Sequence, residues 1–489
     1  MEIKGKSVQI DLWNFKSPQM RAFHITWVAF FFCFFGWFGI APLMAVVRED
    51  LLLTKAQIGN SIIASVAITV LVRLLIGPFC DRFGPRLTYS GLLVLGSLPV
   101  MGIGFAQSYE SFLLFRLAIG AIGASFVITQ YHTTIMFAPN CVGTANATTA
   151  GWGNLGGGVT QMVMPLLFAG LVGLGFEQFT SWRLAMVMPG VMLFLMGVVY
   201  YFGTQDAPNG NYSTLRLKGE LPTAKGSGLR SFLLAVKDIR VWALFVVYAA
   251  CFGVELTINN IAALYYFDRF AVDLKTAGLI AGLFGLMNIF ARTLGGVFSD
   301  MIAVRWGLQG RVSFMGTVLL LEGMALVVFA QMGLLLWAMI AMVVFSLFVQ
   351  MSEGATYAVV PFVNKKAVGS VAGVVGAGGN AGAVAAGFLF RSESLSTEQG
   401  LIYVGLAVVV ASVAAFLVRF SAEAVTDEHR RLVEALLERQ SIRAGTSAVS
   451  FHPAMSPVRA GMPYVAEEDL YVVSKYTGFN RFSREFRSR

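Results

Sequence analysis

Charged side chains are scarce in this chain. Asp, Glu, Lys and Arg make up only 13% of its 489 residues, about half the share found in soluble domains. With 56% hydrophobic residues and a mean hydropathy of +0.70, it carries more apolar surface than a soluble fold can hide. A polytopic membrane protein is therefore expected. Cysteine is scarce too. Cys33, Cys80, Cys141 and Cys251 lie in or beside apolar segments without metal-ligand spacing, which excludes a thiolate cluster and leaves packing thiols. No nucleophile–base set, metal cluster or phosphate loop is present, so no enzyme, cofactor or metal is expected. GWGNLGGG superficially resembles a nucleotide fingerprint, but it sits in an apolar span with no βαβ context. The first apolar stretch, Ala22 to Val47, is too long for a signal h-region and lacks a small-residue cleavage site, so no cleaved leader is expected.

What is abundant is glycine and long apolar runs. The 52 glycines fit closely packed transmembrane helices. At about 20 apolar residues per span, twelve spans are read: 23–47, 56–79, 87–107, 111–136, 142–172, 182–203, 240–267, 275–298, 312–331, 333–360, 367–390 and 400–420. The net charge of +9 reflects loop bias and anionic lipid rather than nucleic acid. One set of loops carries Lys4, Lys6, Lys16, Arg21, Arg82, Arg86, Arg216, Lys218, Lys225, Arg230, Lys237, Arg305, Arg311, Lys365 and Lys366, and leads to an Arg-rich tail. The opposite loops hold only Arg48, Lys55, Arg183, Arg269, Lys275 and Arg391. Both termini are thus expected in the cytoplasm. The implied organisation is a cytoplasmic N-terminus (1–22), a six-helix bundle (23–203), a polar cytoplasmic loop (204–239), a second bundle (240–420) and a cytoplasmic tail (421–489). Thr426 to Arg439 reads as an amphipathic helix with Leu432, Leu436 and Leu437 on one side. The rest of the tail reads as mostly disordered. A solvated tail and a regulatory or partner-binding one both fit.

The two halves repeat. Residues 73–81 and 292–300 both read R-x-x-x-G-x-F-x-D, ending the second span of each half. Residues 150–158 read AGWGNLGGG and residues 376–384 read GAGGNAGAV. Each carries G-N-x-G at equal distance from a Val-Gly pair, Val142-Gly143 or Val368-Gly369. Parallel six-helix repeats build transporters whose substrate site lies at the midplane between halves. Arg73 and Arg292 lie about two turns into their helices, where an arginine is costly unless it faces a cavity and has a partner. A buried ion pair would need acids, and the apolar segments offer only Glu255, Glu322 and Glu353. Paired arginines without symmetric acids point to a negative substrate, for which the guanidinium fork is suited. Asn154 or Asn380 alone reads as interhelical glue. Duplicated in beds of glycine (Gly151, Gly153, Gly156 and Gly157; Gly376, Gly378, Gly379 and Gly382), they read as ligand-proximal. Arg116 reads as bracing near a helix end by snorkelling. His24 and His132 read as structural.

The loop DRFGPR after Gly77 resembles the G-x-x-x-D-R-x-G-R signature of the major facilitator superfamily, with Gly77, Asp81, Arg82 and Arg86. A second copy uses Gly296, Asp300, Arg305 and Gly307. The resemblance implies cytoplasmic gating through charge pairs between neighbouring helices. AGWGNLGGG, GAGGNAGAV, Arg73 and Arg292 together resemble the nitrate/nitrite porter family of that superfamily. FGVELTINN (252–260) and EGATYAVVPFV (353–363) look like its assimilatory nitrate transporter branch. The fold implied is all-α, with twelve transmembrane helices in two pseudo-symmetric halves. The resemblance also implies that Tyr248 hydrogen-bonds the anion and that Phe126 and Phe252 sandwich its planar face.

The expected function is secondary active import of nitrate, and of nitrite with it, across the plasma membrane by alternating access around Arg73 and Arg292. An anion entering against a negative interior needs a driving ion. Protons are the expected partner, with Glu255 and Glu353 as carriers, each of which reads equally as a structural acid. The alternatives are a nitrate/nitrite antiporter, which needs no titratable carrier, and a nitrate sensor that binds without transporting. A monomeric transport unit in the lipid bilayer is expected, with no nucleic acid and a regulatory partner for the tail left open.

Overall fold

In the computed structural model, residues 4–220, 227–272, 274–391 and 395–444 are described. Lys225 and the tail beyond residue 444 lie outside the described residues. The side chains of Lys275 and Arg391 lie outside them too. The described chain is almost wholly helical. Its spanning helices are α1 (Pro18–Phe38), α2 (Lys55–Phe83), α3 (Pro85–Gly102), α4 (Tyr109–Met136), α5 (Val142–Gly173) and α6 (Gln178–Gly203). The second half holds α7 (Ile239–Phe270), α8 (274–306), α9 (308–330), α10 (Leu335–Val359), α11 (Val368–Arg391) and α12 (Thr397–Ser412). A tail helix, α13 (Ala422–Ala444), follows.

Starts and stops follow local chemistry. Ser17 caps α1, and Thr54 with Gln57 forms a capping box on α2. Ser396 with Gln399 does the same on α12. The first span ends earlier than its apolar run predicts. After Gly39 the chain turns through a short 3₁₀ segment, Ala41–Leu43, into a separate helix, Met44–Asp50, because Pro42 cannot continue the α1 ladder. Gly84 (φ +88°) makes the turn from α2 to α3. Gly307 (φ +60°, ψ −153°) divides what is otherwise one 51-residue apolar track into α8 and α9. Only glycine adopts such a conformation without strain. The polar central stretch is not featureless: it forms helices Tyr212–Leu217 and Ser227–Val236.

Packing repeats between halves. Helix α5 lies along α1 as α11 lies along α7. Across the seam, α2 meets α11 and α8 meets α5. Leu71, Leu95, Phe105, Leu114, Leu166, Phe202 and Val410 project outward, exposed. Scattered on the helix exteriors, they suit contact with hydrocarbon. Among the described residues, the helix interior holds Arg73, Arg116, Arg292, Glu255, Glu322 and Glu353.

Candidate functional site

Arg73 on α2 is fully buried. Its Nε and Nη2 donate to the Gly123 carbonyl at 3.1 and 2.9 Å, and its Nη1 donates to the Gly376 carbonyl at 2.5 Å. Gly123 lies in the 3₁₀ segment Ala121–Ala124 within α4, and Gly376 lies on α11 of the other half. No carboxylate pairs with Arg73 among the described residues. Three carbonyl contacts leave two of the five guanidinium N–H groups for another acceptor.

Arg292 on α8 breaks the expected symmetry. It is equally buried, yet it pairs with Glu353 on α10 and lies 3.7 Å from Glu255 on α7. Its Nη2 donates to the Tyr248 hydroxyl at 3.0 Å. The two arginines match in sequence, but the acids stand only in the second half. The expectation of a pair without acids therefore holds for Arg73 alone.

The aromatic residues converge as expected but hold something else. Phe126, Tyr248 and Phe252 stack on one another, with ring centroids 5.2–5.8 Å apart and planes within 15°. Tyr248 and Phe252 are one turn apart on α7, so Phe126 of α4 lies across both. What the Phe126 and Phe252 faces hold is the Arg73 guanidinium, 5.2 and 5.1 Å from their centroids. Arg292 lies 5.4 Å from the Phe126 centroid. One ring thus offers its negative quadrupole to both cations. Tyr357 meets Phe126 and Tyr248 edge-on and donates to the Ala372 carbonyl at 3.0 Å. Tyr357 and Asn288 were not singled out from sequence. Tyr357 sat in plain view in EGATYAVVPFV, four residues after Glu353, where helical spacing puts it on the same face.

The Gly-Asn stretches divide their labour. Asn154 donates through Nδ2 to both Glu255 oxygens, at 3.2 and 3.0 Å, across the seam, and Asn288 donates to Glu255 at 2.9 Å. Asn380 donates to the Val66 carbonyl on α2 at 3.4 Å, also across the seam. Both asparagines are buried, and each has an unpartnered side-chain oxygen. Most of the glycines serve packing within a half instead of bordering a ligand. A Cβ on Gly153 or Gly156 would strike Phe30 or the Phe31 backbone of α1, and Gly157 faces Phe34 and Phe38. Gly378, Gly379 and Gly382 press on Phe245, Phe252 and Ala249 of α7. Only Gly151 and Gly376 face the arginines. Gly151 touches Asn288 and Arg292, and Gly376 touches Arg73 and the Tyr357 hydroxyl.

The repeated Asp motifs latch the seam on the basic face. Asp81 accepts from the Gly369 and Ser370 N–H groups, at 3.3 and 3.2 Å, and from the Ser370 hydroxyl at 2.9 Å. Asp300 accepts from the Gly143 and Thr144 N–H groups, at 3.2 and 2.6 Å. Each carboxylate therefore caps the first turn of a helix in the opposite half. Gly77 and Gly296 admit the backbones of Gly369 and Gly143 at the same crossings. Carboxylate-to-helix contacts thus join the expected charge pairing, which is found only at Asp300 among the described residues. Asp300 pairs with Arg311 at 2.5 Å, whereas Arg305 is exposed over Trp306, so Arg311 and not Arg305 is the arginine of the second copy. Arg82 is exposed over Phe83, and Arg86 reaches the Tyr201 carbonyl and lends its N–H to Asp206. Burial raises the Asp206 carboxyl above the usual range, partly offset by N–H groups of Tyr212 and Arg86. Arg116 does not snorkel: it is buried and donates to the Trp37 carbonyl and Ser65. His132 bonds Tyr200 and the Gln205 carbonyl, and His24 bonds the Leu12 carbonyl.

The Major Facilitator Superfamily model matches residues 26–387. High affinity nitrate transporter 2.5 of Arabidopsis thaliana is 38% identical, covering 89% of this chain and 88% of that protein. High-affinity nitrate transporter 2.3 of Oryza sativa subsp. japonica is 39% identical over 85% and 80%. The chain belongs to the nitrate/nitrite porter family. Within the major facilitator superfamily, this porter falls in the assimilatory nitrate transporter branch and is a transporter, not an enzyme. Nitrate/nitrite transporter NrtP of Picosynechococcus is a more distant relative, 31% identical over 77% of this chain and 85% of that protein. Among solved structures, the proton:xylose symporter XylE superposes with a TM-score of 0.62 over 82% of this chain and 96% of that chain. At 12% identity it supports the porter's fold alone.

Proposed function

We propose that this porter imports nitrate, and nitrite with it, into the cytoplasm by proton symport. Its basic face, bearing the N-terminal segment and the tail, lies on the cytoplasmic side of the plasma membrane. The observation that carries this reading is Arg73, a fully buried guanidinium held by two carbonyls with no acid paired to it. A buried guanidinium with free N–H groups, facing a second cation across one aromatic ring, suits a site that receives an anion. The names of the relatives supply its identity as nitrate.

Arg73 supplies the free N–H groups, Arg292 supplies the facing cation, and Tyr248 supplies a hydroxyl beside it. Phe126 and Phe252 keep the guanidinium dry and oriented. Asn154 and Asn380 tie each half to the other beside the anion. The halves rock around it, opening one face at a time.

Glu353 and Glu255 compete with the anion for Arg292. Protonation of Glu353 releases that arginine to the substrate, so one anion and at least one proton enter together. Import against an inside-negative potential costs about 2.3 kcal/mol per charge per 100 mV, which the protons offset. These acids favour symport over exchange. The test uses purified protein in liposomes with labelled nitrate, varying the pH gradient and internal nitrite independently. Uptake should follow the pH gradient without internal nitrite. Uptake that requires internal nitrite and ignores pH makes the protein an exchanger. Binding without flux makes it a sensor.

A further inference from the structure

Among the described residues, and apart from Asp300, which pairs with Arg311, three carboxyl groups are buried in the second half: Glu255 on α7, Glu322 on α9 and Glu353 on α10, none more than 1% exposed. Arg292 stands directly against them, and the buried Arg73 lies within electrostatic range of Glu353. Arg292 pairs with Glu353 and lies within ion-pair range of Glu255, which also receives the Asn154 and Asn288 amides. Glu322 has no ion pair among the described residues, and neither of its oxygens receives a well-formed hydrogen bond.

Its surroundings bring no cation. From α10 it faces the Ser352 hydroxyl, and Glu353, the next residue, lies within electrostatic range. From α7 the Cys251 thiol lies near both acids. From α12 the Gly405 backbone and Val409 close on Gly323 without charge. Three ionised carboxylates against Arg292 and Arg73 would leave at least one buried charge uncompensated, at several kcal/mol. Glu322 is the carboxyl with no compensating group, and it lies within electrostatic range of Glu353, the acid that holds Arg292.

We propose that Glu322 is a proton-holding residue of the transport cycle, acting together with Glu353. While Glu353 is paired with Arg292, Glu322 carries the proton. When the substrate anion takes Arg292, Glu353 takes up a proton and Glu322 gives one up. Glu322 is left ionised and Glu353 neutral, and it is reprotonated before the next cycle. This rests on the symport reading above.

The test is Glu322→Gln in proteoliposomes with three readouts: nitrate-driven proton influx, uphill accumulation, and nitrate–nitrate counterflow. The variant should keep counterflow within about twofold of wild type while proton influx and accumulation fall at least about tenfold. Glu322→Asp should restore coupling with a displaced pH profile. Wild-type proton influx in Glu322→Gln overturns the proposal. Parallel loss of counterflow in both Glu322→Gln and Glu322→Asp also overturns it, by making the residue structural. If wild-type protein itself moves no protons with nitrate, the symport reading falls first.

Discussion

Arg73 and Arg292 differ in what each would give up to an anion at the proposed site. Arg73 offers free N–H groups, while Arg292 must release Glu353. Arg73→Lys keeps the charge, but one ammonium cannot span the Gly123 and Gly376 carbonyls and still face a ligand. Nitrate uptake should fall to background at normal membrane abundance. Wild-type-like uptake would sink the two-arginine site. The glycines make a second, separable case. Gly156→Ala would drive a methyl into the Phe31 backbone, whereas Gly158 meets no such neighbour. Gly156→Ala should lower stability by about 1–3 kcal/mol and Gly158→Ala should be nearly neutral, as read by thermal melting of detergent-solubilised protein.

Asp81 and Asp300 act between elements, each anchoring the first turn of a helix in the opposite half. They differ in one respect. Asp300 also neutralises the buried Arg311. Asp81→Asn should cost about 1 kcal/mol of seam stability, the worth of a carboxylate at a helix N-terminus. Asp300→Asn leaves Arg311 unpaired and should cost about 3–5 kcal/mol. Melting temperatures of the two variants check the order, and equal losses would mean that Arg311 contributes nothing. That arginine was legible in sequence only as a loop cation. The break at Gly307 folds it back over Asp300, a consequence of backbone conformation that residue spacing does not report.

Across the whole molecule, the tail helix α13 bridges both halves. Glu428 and Asp427 meet Lys365 of the second half, while Ala435 packs on Val8 and Ala138 of the first. The rocking proposed above would part those contacts. A chain ending at Phe420 should therefore open more readily on the basic face. The native Cys141 thiol, buried beside Ser7 at the start of α5, should then label faster with an impermeant thiol reagent applied to that face. Unchanged labelling would mean that the tail does not restrain the seam.

Membrane residence, twelve spans, the twofold repeat and the positions of Arg73, Arg292 and the Gly-Asn stretches were determined by the sequence alone. Hydropathy, helical period and duplicated spacing are local properties. Which acid meets which arginine was decided only by tertiary structure. Glu255, Glu322 and Glu353 lie on three different helices, and nothing along the chain records that Glu353 lands on Arg292 while Arg73 meets only carbonyls. The symmetry of the motifs is written residue by residue. The asymmetry of the charges arises when helices cross, because a buried cation is balanced by whatever its neighbours in space provide.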